Sequence, residues 1–240
     1  PHCPECGRVI KKQTTDQVTD EILNELKGFV ITEAVEKTTI SEIENFPVEN
    51  AKYHVVLMDF GAKHNIGREL NKRGCSLTVV PAHTKAEEVL ALNPDGIMLS
   101  NGPGDPAKNT AVIEELRKLT ESKVPMFGIC LGHQLLALAH GAKTEKLKYG
   151  HRGANQPVKE LETGKVYITS QNHGYAVVSD SLPEDSEVSY VNGNDNTCEG
   201  VTYTSFPAFS VQFHPEAHGG PLDTSFLFDR FLRMMDDSKQ

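Results

Sequence analysis

Val124-Pro125-Met126-Phe127-Gly128-Ile129-Cys130-Leu131-Gly132-His133-Gln134 is the stretch on which the fold turns. Its first half is an apolar run of the length of a buried strand, and from Gln134 to His140 apolar residues recur at helical spacing. Gly128 and Gly132 flank Cys130 two residues away on either side. Residues that small permit a tight strand-to-helix turn that pushes one side chain out at the carboxyl end of the strand. This is the design of a nucleophile elbow, with Cys in the place of Ser. A thiol at the start of a helix meets unpaired N–H groups and the positive end of the helix dipole, which favour a thiolate. A buried structural Cys fits the same residues equally well, since free Cys is among the most buried residue types. The surrounding sequence has to separate the two.

Upstream, apolar strand patterns alternate with helical ones. Tyr53 to Phe60 reads as a strand closed by Gly61, then Asn65 to Gly74 as a helix with Ile66 and Leu70 on one face. Leu77 to Val80 is a strand, Lys85 to Leu92 a helix, Gly96 to Ser100 a strand and Ala111 to Thr120 a helix. Short loops between alternating elements predict an α/β fold: an open, mostly parallel sheet flanked by helices, with the elbow strand completing the series. Sites in such sheets lie at the carboxyl ends of the strands, where Gly102-Pro103-Gly104 and Cys130 both fall.

After His140 the texture changes to a smaller β-rich extension. Strands are expected at 143–149, 156–160, 165–170, 187–191, 200–204 and 208–213, separated by Gly, Asn and Pro, before a closing helix over 224–235. Residues 51–238 form the main domain on this reading, and 1–50 an appendage and linker. The appendage has a short helical pattern over 15–26, a weakly patterned connecting stretch over 28–50, and a Cys3-Pro4-Glu5-Cys6 knuckle. That knuckle is half of a zinc site, but the other Cys, at 75, 130 and 198, supply no second pair, so no metal is assigned. A chain beginning with Pro1 is expected to be a fragment or a processed product.

The 240 residues carry a formal net charge of -9, which argues against nucleic acid or an anionic membrane surface as the main partner. No apolar run approaches the roughly 18 residues that span a bilayer, and no secretory leader is visible. Five Cys make no dense disulfide framework. A cytoplasmic location is expected.

A Cys nucleophile needs a base, and the base needs an orienting group. Of ten His, one has both in its local context: Phe213-His214-Pro215-Glu216 puts an imidazole at a strand end with a carboxylate two residues on. Charged His214 would favour the thiolate of Cys130. Attack on an amide also generates an oxyanion that needs preorganised N–H donors. The N–H of Leu131 and the Gly102–Gly104 turn are the candidates. Gln171-Asn172-His173-Gly174-Tyr175 reads as a turn after a strand, with an amide side chain and open backbone suited to the zwitterionic end of an amino acid.

Four separated motifs now stand in order: Leu99 to Pro106, Gly128 to Gln134, Ser170 to Ala176, and Phe213 to Ala217. Together they resemble the class I glutamine amidotransferases, whose triad is Cys-His-Glu. Within that class, Asp59-Phe60-Gly61-Ala62-Lys63, the Asn172 to Ala176 stretch, and Gly220, Pro221 and Asp223 after His214 resemble the small, glutaminase subunits of carbamoyl-phosphate synthetases. The resemblance covers residues 50–235. It implies Cys130 as nucleophile, His214 as base and acid, and Glu216 as its orienter. Gly104 and Leu131 would be oxyanion donors; Gly102, Gln134, Asn172, Gly174 and Tyr175 would hold glutamine. It also implies a partner, the large subunit of the synthetase. No Gly-x-x-x-x-Gly-Lys-Ser/Thr pattern occurs, so no cofactor is expected in this chain, and ATP and magnesium are expected on the partner. Such small subunits carry an amino-terminal domain, with a Ser that helps to bind glutamine; residues 1–50 stand in its place here.

Overall fold

The structure is a computed structural model that describes residues 39–217 and 224–239. The expected helix over 15–26, the Cys3–Cys6 knuckle, and Gly220, Pro221 and Asp223 lie outside the described residues. Among the described residues ten strands build one sheet: β1 Glu44–Phe46, β2 Tyr53–Asp59, β3 Cys75–Pro81, β4 Gly96–Leu99, β5 Met126–Ile129, β6 Thr144–Glu160, β7 Val166–Val177, β8 Ser186–Asn192, β9 Cys198–Tyr203 and β10 Ala208–Val211. Their spatial order is β1-β3-β2-β4-β5-β10-β9-β8-β6-β7. From β3 to β10 the neighbours are parallel; β1 and everything beyond β10 pair antiparallel.

Helices α1 His64–Lys72, α2 Ala86–Ala91, α3 Thr110–Glu121, α4 Leu131–Ala139 and α5 Phe226–Asp237 cover the parallel part. Successive strand residues point to opposite faces, so the uninterrupted apolar run of β2 feeds two cores. Val55 and Leu57 pack with Ile66 and Leu70 of α1 and with Leu227, Phe228 and Phe231 of α5. Val56 and Met58 pack with Val89 of α2, Leu116 of α3 and Leu135 of α4. Phe127 of β5 stacks on Phe209 of β10 at 4.4 Å and meets Phe228 edge-on at 5.7 Å. Fully burying a side chain of that kind contributes roughly 1.5–3 kcal/mol. Arg73, beyond α1, bonds Asp229 of α5 at 2.7 Å and Glu69 at 2.6 Å, which fixes the last helix on this face.

Three expectations change. The stretch before residue 50 contains β1, an exposed three-residue edge strand. Residues 143–149 and 156–160 belong to one long strand, β6, whose register against β7 shifts between Lys146 and His151 and again between Gly153 and Gln156. The Gln171–Tyr175 stretch is no turn: it lies inside β7, with Asn172 paired to Arg152 and His173 to His151.

Candidate active site

Cys130 stands between β5 and α4 with φ 54° and ψ −103°, a conformation that costs a non-Gly residue about 1–3 kcal/mol. Its neighbours hold it there. The Cys130 N–H donates to Val211 O at 2.8 Å, and the Gly132 N–H to Ser100 O at 3.0 Å. A Cβ at Gly132 would drive into the Leu99 carbonyl, and one at Gly128 would lie 2.9 Å from the backbone of Gly132. Strand and helix therefore approach at a distance that only glycine allows, and the helix begins at Leu131, three residues earlier than its apolar pattern predicts.

Two loops interlock beside the elbow. Asp59 accepts from the N–H groups of Gly61 and Ala62 at 2.9 and 2.6 Å, while Ser100 Oγ accepts from Phe60 N–H at 2.8 Å. Asn101 receives the Lys63 N–H at 3.0 Å and donates to Gly61 O at 3.1 Å. A Cβ at Gly102 would strike Phe60 O, and Gly104 turns through φ +101°. The Asp59–Lys63 motif thus serves as the wall against which the Gly102–Gly104 turn is pressed.

His214 follows β10 and is placed by its own N–H, which donates to Ser170 O of β7 at 2.9 Å. Its Nδ1 lies 2.8 Å from Glu216 Oε1. Burial works against a charged imidazole, but the Cys130 sulfur and the Glu216 carboxylate outweigh it and push His214 up to about 9. Glu216 is buried, which by itself would raise its carboxyl; the His214 hydrogen bond and charge prevail and hold it below the usual range. Lys63 Nζ adds a cation 3.6 Å from Glu216 Oε1. Burial pushes Cys75 and Cys198 up to about 12, and neither has an imidazole partner.

A cavity of about 120 Å³ opens on the thiol, lined by Gly102, Pro103, Gly104, Cys130, Gln134, Arg152, Asn172, His173, Gly174 and Tyr175. The structure thus brings together every expected ligand-binding residue, with Leu131 packed under Gly102. Gln134 is held from within: its Nε2 donates to Tyr175 O at 2.7 Å and to Gln212 Oε1 at 2.8 Å, which leaves its Oε1 for the cavity. A Cβ at Gly174 would meet no protein atom within 4 Å, so that glycine keeps space for an occupant rather than for the chain. Sequence reasoning missed Arg152 and Gln212. The first lines the cavity from the strand opposite Asn172; the second fixes the Gln134 amide. Neither carries a local signal, because each acts across strands.

Among class-I glutamine amidotransferases this arrangement finds its match: the family model fits residues 56–234. The chain belongs to this amidotransferase family. Similar curated relatives are carbamoyl phosphate synthase small chains. That of Lactococcus lactis is 51% identical over 233 residues, covering 95% of this chain and 64% of that one. That of Bacillus cereus is 54% identical over 226 residues, covering 94% and 61%, and that of Akkermansia muciniphila 59% over 190 residues, covering 79% and 51%. The chain therefore spans between half and two thirds of the length of these amidotransferase relatives. A match over 95% of the chain also begins well ahead of residue 50, so the similarity reaches further than expected. Two solved structures share the fold. A Thermoplasma acidophilum protein assigned to GMP synthase has a TM-score of 0.68 at 22% identity, covering 78% of this chain and 96% of its own. A glutamine amidotransferase from Thermotoga maritima has a TM-score of 0.56 at 16%, covering 80% and 86%. Among the described residues no helix is long and apolar enough to cross a membrane.

Proposed function

We propose that the chain hydrolyses glutamine to glutamate and ammonia through a glutamyl thioester on Cys130. One observation carries the reading: the strained Cys130 opens on a cavity and engages His214, which Glu216 in turn holds at 2.8 Å. The thiolate attacks the side-chain amide carbon, and the developing oxyanion is received by the N–H groups of Gly104 and Leu131. The Leu131 N–H is suited to this because the first N–H groups of a helix have no partner within it. His214 gives its proton to the departing nitrogen, releasing ammonia. It then takes a proton from water, which attacks the thioester, frees glutamate and restores the thiolate. Glu216 keeps Nδ1 protonated, so that Nε2 does the proton transfers. Gly102, Gln134, Asn172, Gly174 and Tyr175 hold the amino-acid end, and the Arg152 guanidinium suits its carboxylate.

The relatives' names extend the reading. Ammonia passes to a large synthetase subunit that makes carbamoyl phosphate, with ATP and magnesium bound on that partner and none on this chain, in the cytoplasm. Incubation with glutamine, with a short peptide and with a γ-glutamyl peptide tests the chemistry. Glutamate and ammonia are expected from glutamine; peptide cleavage without them overturns the proposal. Mixing with large subunits tests the partner. A carbamoyl-phosphate synthetase large subunit is expected to raise the glutaminase rate, whereas acceleration by an anthranilate or GMP synthase component instead would reassign it.

A further inference from the structure

Behind the cavity wall, three buried side chains from three strands converge. β6 and β7 pair His151 with His173, whose rings meet edge-to-face at 4.9 Å, and Glu199 of β9 lies against both. Glu199 Oε1 is 3.2 Å from His151 Nδ1 and 3.9 Å from His173 Nε2, and one donor atom from each residue falls within 4.8 Å of the others. The nitrogens facing away from this centre are both anchored. His151 Nε2 lies 2.8 Å from Asp195 Oδ2, and His173 Nδ1 lies 2.8 Å from Tyr175 O. Carboxylate and carbonyl oxygens only accept, so those nitrogens carry hydrogen. In the neutral ring that turns a lone pair of each toward Glu199. Metal-binding His are held in this way, one nitrogen fixed by an outer acceptor and the other left for the ion.

One further contact lacks a proton, and one buried oxygen lacks a partner. Thr169 Oγ1 donates to Gln156 O at 2.9 Å, so it accepts the Gln171 Nε2 hydrogen at 3.1 Å. This turns Gln171 Oε1 onto His173 Nε2 at 3.0 Å. Both nitrogens of the buried His173 then face oxygen, and a neutral imidazole has one hydrogen to give. Glu199 Oε1 accepts from Asn192 at 3.1 Å, but Oε2 is buried with no hydrogen-bond partner among the described residues. Leaving a carboxylate oxygen so placed is costly, and a cation among these atoms removes both conflicts.

We infer that His151, His173 and Glu199 bind one divalent transition-metal ion of the zinc class. The set of two imidazoles and a carboxylate suits that ion and leaves a fourth position for water or Gln171 Oε1. An ion there would tie β6, β7 and β9 together directly behind Asn172 and Gly174, bracing the wall that faces the thiol. The separation of the ligands, at 151, 173 and 199, hides the site from any spacing pattern. The inference does not depend on the proposed reaction.

Cobalt(II) titration of the full chain carrying Cys3→Ser, Cys6→Ser and Cys130→Ser keeps the knuckle and elbow thiols from competing for the ion. A saturable tetrahedral ligand-field spectrum is expected at one cobalt per chain, without a sulfur charge-transfer band. Zinc should displace it, and the melting temperature should rise on binding. Glu199→Gln should weaken binding by more than tenfold. Asp195→Asn, which leaves all three ligands in place at a partly exposed position, should weaken it by about 10–100-fold. Metal-free melting curves report whether each variant folds; if Glu199→Gln does not, Asp195→Asn decides. No saturable cobalt binding, or binding unchanged in the folded variants, would mean a hydrogen-bonded network only and overturn the inference.

Discussion

The two halves of the sheet solve different problems. From β3 to β10 the strands are short, parallel and covered on both faces, and β4, β5 and β10 are buried at every position. From β9 to β7 they are antiparallel, and most of β6 is exposed or half-buried. The thiol stands in the first half, where packing on two sides holds a backbone conformation that is unfavourable by itself. Most of the wall facing it comes from the second, where a bulged ribbon carries Arg152, Asn172, Gly174 and Tyr175. The strained residue sits where the chain yields least, and most of the cavity wall where the strands bend.

The most direct way to break this contrast is at Cys130. Cys130→Gly should lower glutamine hydrolysis by roughly 10⁴-fold or more. The same change relieves the positive φ, so thermal unfolding should show no loss of stability and a gain of up to roughly 1 kcal/mol. A marked loss of stability would mean that the elbow is not strained. Glu216→Gln should cost about 10–10³-fold in kcat with KM little changed, because it disturbs the base and not the wall. Steady-state kinetics on glutamine check this, and an effect confined to KM would move Glu216 into recognition.

A pair of glycine substitutions sharpens the comparison. Gly132→Ala presses into the Leu99 carbonyl and should destabilise by about 3 kcal/mol. Gly174→Ala meets open space, so stability should stay within about 0.5 kcal/mol while KM for glutamine rises on the order of tenfold. Denaturant melts and kinetics on both variants give the answer; equal destabilisation would erase the distinction between the halves.

The smallest effect concerns pH. His214 lies above its unfolded value, at about 9, so its contribution is complete below roughly pH 6.5 and is lost as pH rises through 9. Buried His133, bonded to Ser210 at 2.8 Å, is pushed down to about 3 by burial, so its contribution is present above 6.5 and is lost as pH falls. Stability should therefore decline on both sides of neutrality. His151 is also raised to about 9, by Glu199 and Asp195, so His214→Asn should lessen the alkaline decline without abolishing it and leave the acid side unchanged, measured as the urea midpoint against pH.

The same division explains how much the sequence reveals. The parallel half is legible because continuous apolar runs alternate with helical spacing, and the elbow and Phe213–Glu216 each announce themselves within a few residues. The ribbon is harder to read. Two register shifts interrupt the alternation of β6, so the polar residues from Gly150 to Asn155 look like a gap between strands. Gly174 within β7 imitates a turn. β1 is short and polar enough to show no pattern. Arg152, Gln212 and the His151–His173–Glu199 cluster gain meaning only from partners across the sheet, which no local window contains.

The order of strands in space also sets an order of events in time. β10, the last of the described strands in sequence, lies between β5 and β9 near the middle of the sheet, and His214 follows three residues after its end. Until residues 208–211 have been synthesised and inserted, β5 and β9 each present an open edge, and His214 is not yet beside the thiol. Edges of that kind recruit other chains, and pairings so distant in sequence form slowly. The insertion of one four-residue strand closes the sheet and brings His214 to the cysteine together, so a chain caught before that step lacks the assembled site and is prone to aggregate.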